Sequence, residues 1–189
     1  MKINNEKGFT LLELIVVAAI SAIIGFALYQ AMRTGNNQLE TAELRMNIQD
    51  SAREGLYKMI QELRMSAPSR ITMGSSCDNI TFNIPDPSNS VNAATFQVNW
   101  PGHQIQYTYN ASLQRVIRNN LTTGATTVMA TDVTDLSFTA DRTNPFNCSV
   151  TAQPDLITIV MSVQRALKNG NSVPAIPLQL AGQARIRNL

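Results

Sequence analysis

The sequence predicts an α+β fold: a long N-terminal α-helix, hydrophobic in its first half and amphipathic in its second, packed on an antiparallel β-sheet C-terminal domain. Three observations lead there. Residues 9–32 form a nearly unbroken apolar run. Residues 33–67 carry an apolar stripe at helical spacing. From residue 68 onward the apolar period falls to two, as in half-buried strands. A length of 189 residues suits one domain with an appended segment.

The apolar run reads "FTLLELIVVAAISAIIGFALYQAM", and Glu13 is its only charged side chain. About 20 apolar residues cross the roughly 30 Å of bilayer hydrocarbon as a helix, and residues 9–32 supply them. A secretory signal peptide has a shorter apolar region followed by small residues at its cleavage site; "LYQAMRTGNN" offers no such site. The leader "MKINNEKG" has Lys2 and Lys7 against Glu6, so it should stay cytoplasmic and send residues after about Arg33 across the membrane. Glu13 is out of place in a plain anchor. A charged side chain at the bilayer centre costs about 2.5–3.5 kcal/mol on insertion scales, and calls for a partner. The neighbours on its own helix face are Phe9, Thr10, Val16 and Val17, none of them cationic. A chain cut before Phe9 would create an α-amine, and that amine on an adjacent subunit could neutralise Glu13.

In residues 38–66, Leu44, Ile48, Ala52, Leu56, Met59, Ile60 and Leu63 recur every three or four positions, one helical stripe. The charged residues, Glu62 among them, mostly fall off it. Pro68 ends the helix, and Gly35 and Asn36 are expected to loosen the join between the two halves. A helix running from Phe9 would be roughly 85–90 Å long at 1.5 Å per residue.

Beyond Pro68, "ITFNI", "TFQVNW", "HQIQYTYN", "LQRVIRN", "TTVMAT", "DLSFTAD", "LITIVMSVQ" and "LQLAGQARIRN" read as strands between Gly, Pro, Asn and Asp turns. The clearest hairpin joins Gln104–Asn110 to Leu113–Asn119 through Asn110 and Ala111. Residues 83–94 read as an exposed loop.

A net charge of +2 is too small to indicate nucleic acid by itself. Arg115, Arg118, Arg185 and Arg187 would contact DNA phosphates only if they clustered on one face; as scattered surface charges, the favoured reading, they would not. Cys77 and Cys148 would pair outside the cytoplasm and close a long loop; the alternative is two free thiols. His103 reads as a solvated turn residue. No catalytic triad, CxxC, HExxH or phosphate loop can be assembled, so neither an enzyme nor a cofactor is expected.

At this point the motif "KGFTLLELIVVAAI" resembles the class III signal of type IV pilins and of type II secretion pseudopilins: a short basic leader ending in Gly8, an aromatic Phe9, and Glu13 at the fifth mature position. The resemblance implies cleavage between Gly8 and Phe9 by a prepilin peptidase and methylation of the Phe9 amine. It also implies an inter-subunit salt bridge from Glu13 to the amine of a neighbour. Residues 1–8 are then a leader, 9–32 a transmembrane and filament-core helix, 33–67 its amphipathic continuation, and 68–189 a periplasmic or extracellular β-rich domain. The implied partners are other major and minor pilins or pseudopilins, the peptidase, the inner-membrane assembly platform, and the membrane itself before assembly. Many pilins kink this helix with a proline where this chain has Gln30, so no such kink is expected; Gly25 or Gly35 would be the place for local melting. Some pseudopilins hold calcium, for which Asp132, Asp135 and Asp141 are the acids at hand, although no ligand spacing is recognisable.

The order "IQYTYNASLQRVIRN", "ATDVTDLSFTAD", "DLITIVMSVQ", "ARIRNL" further resembles minor pilins of the PilW kind and J-type pseudopilins. That likeness implies a subunit that primes or caps a filament. The alternatives are a J-type pseudopilin at a secretion pseudopilus tip, a DNA-uptake pseudopilin, or an anchored binding domain that never polymerises.

Overall fold

The computed structural model describes residues 10–85, 90–95, 97–100, 102–140, 155–167 and 172–186. It has one long N-terminal helix followed by an antiparallel β-domain. Helix α1 runs without a break over Leu11–Arg64, while the chain divides into two compact units at residues 43 and 44.

In the first unit, α1 opens on Thr10. Its hydroxyl accepts a 3.3 Å bond from the Glu13 amide, filling one of the donors that a helix start leaves open. From Leu11 to Met32 every side chain is exposed. The helix is long and apolar enough here to cross a membrane, and none of that stretch is buried within the chain. The expected melting at Gly25 or Gly35, and the looser join at Gly35 and Asn36, do not occur: the helix passes through all three. A glycine costs about 1 kcal/mol relative to alanine in a helix, too little to interrupt a helix that both flanks propagate.

In the second unit α1 buries Ile48, Ala52, Gly55, Leu56, Met59 and Leu63. Leu44 and Ile60 are half-buried at the edges of this stripe. Gly55 is there for closeness: a Cβ at that position would lie 2.7 Å from the Met129 carbonyl oxygen. The last turn tightens through amide bonds from Met65 to Glu62 and from Ser66 to Leu63, each 3.1 Å. A 3₁₀ turn over Pro68–Arg70 then delivers the chain to the sheets.

Strands β1 (Ile71–Met73), β2 (Asn79–Ile84), β3 (His103–Asn110), β4 (Arg115–Asn120) and β5 (Thr126–Thr131) form a five-stranded antiparallel meander. Strands β6 (Val133–Thr139), β7 (Leu156–Ala166) and β8 (Ser172–Arg185) form a second, three-stranded antiparallel sheet. Alternate residues of both sheets, among them Ile80, Phe82, Ile105, Tyr107, Val116, Phe138, Ile157, Ile159 and Met161, share one core with the α1 stripe. The chain passes from one sheet to the other at Asp132, whose φ is +59°. That corner is held by the Gln164 amide on the Asp132 carbonyl at 2.8 Å and by Arg165 Nε at 3.6 Å from Oδ1.

Several strand expectations need correction. Of the strand expected at residues 95–100, the described residues form only an isolated bridge between Val91 and Val98. Asn92 Oδ1 accepts the amides of Ala94 and Thr95, a turn across which the Asn92 amide donates to the Gln97 carbonyl and the Asn99 amide to the Ser90 carbonyl, each at 2.9 Å, so the pairing stays local. The β3–β4 turn occupies residues 111–114, so Leu113 and Gln114 lie in the loop; Gln114 has φ +50° and Asn110 Oδ1 accepts the Leu113 amide. Asn83 and Ile84, shared by the expected strand "ITFNI" and the expected loop 83–94, belong to the strand, and β1 is an addition to the expected set. β8 starts six residues before the expected Leu178, carrying Pro174 and Pro177 at the edge of its sheet, where a missing N–H breaks no ladder.

Candidate functional site

Gly8 and Phe9 lie outside the described residues. Glu13 does not: it sits in the first turn of α1, exposed, with apolar neighbours. Among the described residues no cation lies within salt-bridge distance of it. Its amide is tied to Thr10, so its carboxylate stands on an ordered turn at the positive end of the helix dipole.

A second cluster joins the end of α1 to the five-stranded sheet. Register places Tyr107 of β3 directly beside Arg118 of β4, both on the helix side of the sheet. Glu62 meets them there. Tyr107 Oη donates to Oε2 at 2.7 Å, and Arg118 Nε lies 3.0 Å from both carboxylate oxygens. Tyr107 is fully buried, and its hydroxyl is pushed far above the ordinary tyrosine range, by burial first and then by the Glu62 charge. Burial pulls the Arg118 pKa down, but the hydrogen bonds and charge of Glu62 outweigh it and the net shift is upward. Tyr107 and Arg118 thus both keep their protons at neutral pH, and with the Glu62 carboxylate between them they act as a latch. Sequence reading passed over this cluster by counting Glu62 as an off-stripe charge. The available signal was a carboxylate adjoining Leu63 at the helix end, with Tyr107 at a core-facing strand position.

Arg118 is therefore committed to Glu62 and is not displayed for DNA. Arg115 and Arg185 are exposed on different sheets, and Arg187 lies outside the described residues. His103 begins β3, as the strand read from it expects, but it is half-buried rather than a solvated turn residue, with its Nδ1 3.2 Å from Asn120 Nδ2. Asp132 faces Arg165, Asp135 is exposed on β6, and Asp141 lies outside the described residues. Cys77 is disulfide-bonded; Cys148, its expected partner, also lies outside them.

An exposed apolar helix running into a helix-on-sheet domain defines a class: an α+β subunit with a membrane-grade N-terminal segment. The comparisons make that class more specific. Residues 3–29 match the prokaryotic N-terminal methylation motif, the class III prepilin signal of type IV pilins and pseudopilins. The match supports a type IV pilin-like or pseudopilin protein, a structural subunit anchored by its N-terminal helix that interacts with other pilins and with prepilin peptidase. No curated protein matches the chain.

Proposed function

We propose that the chain is a minor pilin or pseudopilin that primes or caps a type IV pilus-like filament. The observation that carries this reading is Glu13: one exposed carboxylate in an exposed apolar helix, with no cation near it among the described residues. Cleavage between Gly8 and Phe9 supplies the missing cation as a methylated amine on a neighbouring subunit. Before assembly the precursor crosses the inner membrane once, with its N-terminus cytoplasmic and its β-domain periplasmic. On assembly the same helix leaves lipid for the filament core. The β-domain selects neighbours, and a disulfide between Cys77 and Cys148 braces it.

The test is co-expression of the precursor with a prepilin peptidase, followed by mass spectrometry of the mature N-terminus. An N-methylated Phe9 is expected. An intact Met1 in the presence of active peptidase overturns the reading.

A further inference from the structure

The five-stranded sheet turns Tyr107 and Arg118 toward the helix and so puts the alternate positions on its other face, where Thr72 and Thr126 are exposed and Thr81, Gln106 and Asn119 half-buried. One outward row crosses all five strands in register: Thr72, Thr81, Gln106, Asn119 and Thr126. Every member ends in a hydroxyl or a carboxamide. The row contains no carboxylate and no cation, and Arg115, at the far end of β4, is the only charge on the outward positions of β2, β3 and β4. Charged residues make up 15% of the whole sequence. This face is uncharged across its centre.

Within the row, side-chain hydrogen bonding is spent only between Thr126 and Asn119. Thr126 donates its hydroxyl to Asn119 Oδ1 at 3.2 Å, which turns the Asn119 NH₂ outward. The Gln106 amide has no side-chain partner among the described residues. A carboxamide offers two donors and an acceptor oxygen, and a hydroxyl donates and accepts at once. The face therefore both gives and takes hydrogen bonds without favouring either sign of charge. One step along the strands, Ile117 and Val128 pair across β4 and β5, an apolar strip beside the polar row.

We infer that this face binds an uncharged polysaccharide. Sugar hydroxyls donate and accept like the row they would meet, and the C–H faces of pyranose rings suit the Ile117–Val128 strip. At about 4.8 Å between strands, the row is about 19 Å long, the length of a short oligosaccharide. An anionic polymer finds no cationic row here, and a cationic one finds no acid. This inference does not depend on filament assembly, because the face belongs to the β-domain.

The test uses the full-length protein in detergent on immobilised neutral glucans, mannans and galactans, with a sulfated polysaccharide and duplex DNA alongside. Retention on at least one neutral polymer is expected, displaced by soluble oligosaccharide of the same sugar and unchanged at high salt, since no charges are screened. The double variant Gln106→Ala, Asn119→Ala should weaken that retention about tenfold with its thermal unfolding unchanged. Absence of retention on every neutral polymer overturns the inference. So does retention indifferent to the double variant, or retention confined to the charged polymers and lost in salt.

Discussion

Two stretches of one helix solve the same problem in opposite ways. From Leu11 to Met32, α1 buries nothing against its own chain: its side chains are exposed, and its apolar residues lie on every face. From Leu44 on, α1 has one buried stripe, and its stability comes from the sheets beneath. The first stretch is written for a solvent other than water, the second for a core. Substitutions in the first should therefore alter assembly and leave folding alone; substitutions in the second should do the reverse.

The largest effect is expected at Glu13. Glu13→Ala should leave membrane insertion intact and reduce incorporation into sheared filaments by tenfold or more, read by immunoblot. Normal incorporation would end the pairing role. Thermal unfolding of the β-domain should not change, which is the other half of the contrast.

Met59→Ala comes next. Met59 is fully buried in the α1 stripe, and truncating such a side chain costs about 2–5 kcal/mol. The unfolding midpoint in urea should fall accordingly, whereas Ile24→Ala, exposed in the first stretch, should leave it unmoved. An equal loss in both variants would erase the distinction between the two stretches.

Breaking the latch should cost less. Glu62→Ala leaves the buried Tyr107 hydroxyl and the Arg118 guanidinium without their acceptor, about 1–2 kcal/mol, because about a fifth of the Arg118 and Glu62 side chains still meets water (20% and 21%). The latch also makes an alkaline prediction. The folded-state pKa of Tyr107 is raised above its ordinary value of 10.0. Its contribution is therefore complete below pH 10 and is lost as the unfolded phenol ionises above it. Urea unfolding should show stability declining above about pH 10, with a shallower decline in Tyr107→Phe. A parallel decline in both proteins would assign the slope to other groups, Tyr109 first, since burial raises its pKa as well.

The smallest effect belongs to Glu54. Its carboxylate pairs with Lys58 at 2.6 Å on the exposed side of the helix, and that hydrogen bond holds its pKa below the ordinary value. The pair is present at neutral pH and lost as pH falls through the depressed pKa. Being fully in water, Glu54→Gln should leave the thermal midpoint unchanged within error.

These contrasts also show what could be read in advance. The stripe was legible because burial on a helix repeats every three or four residues, and Ile48, Ala52, Leu56, Met59 and Leu63 obey that spacing. Glu13 was legible because one acid stands out against an apolar run. Gly55 escaped notice because its importance is a close approach by β5, and proximity across the fold leaves no local mark. The latch escaped for a related reason: Glu62 lies 45 residues from Tyr107 and 56 from Arg118, and only strand register brings the two sheet residues side by side. The strand expected at residues 95–100 is reduced to a bridge because its described residues pair back onto 90–92 rather than onto either sheet, a choice that alternation alone does not reveal. The early part of β8 was missed because proline argues against strands in general but not against an edge.

The sheet-to-sheet corner at Asp132 decides where this protein can be opened. Its backbone is left-handed, its carbonyl and carboxylate are both held by β7, and β5 ends and β6 begins on either side of it. An inserted tag or fluorophore-acceptor peptide there would have to pry the sheets away from each other. The β4–β5 tip is different: Leu121–Gly124 is exposed, and Gly124 already takes the positive φ of a tight turn. Labels meant to follow the subunit in a living cell belong at that tip.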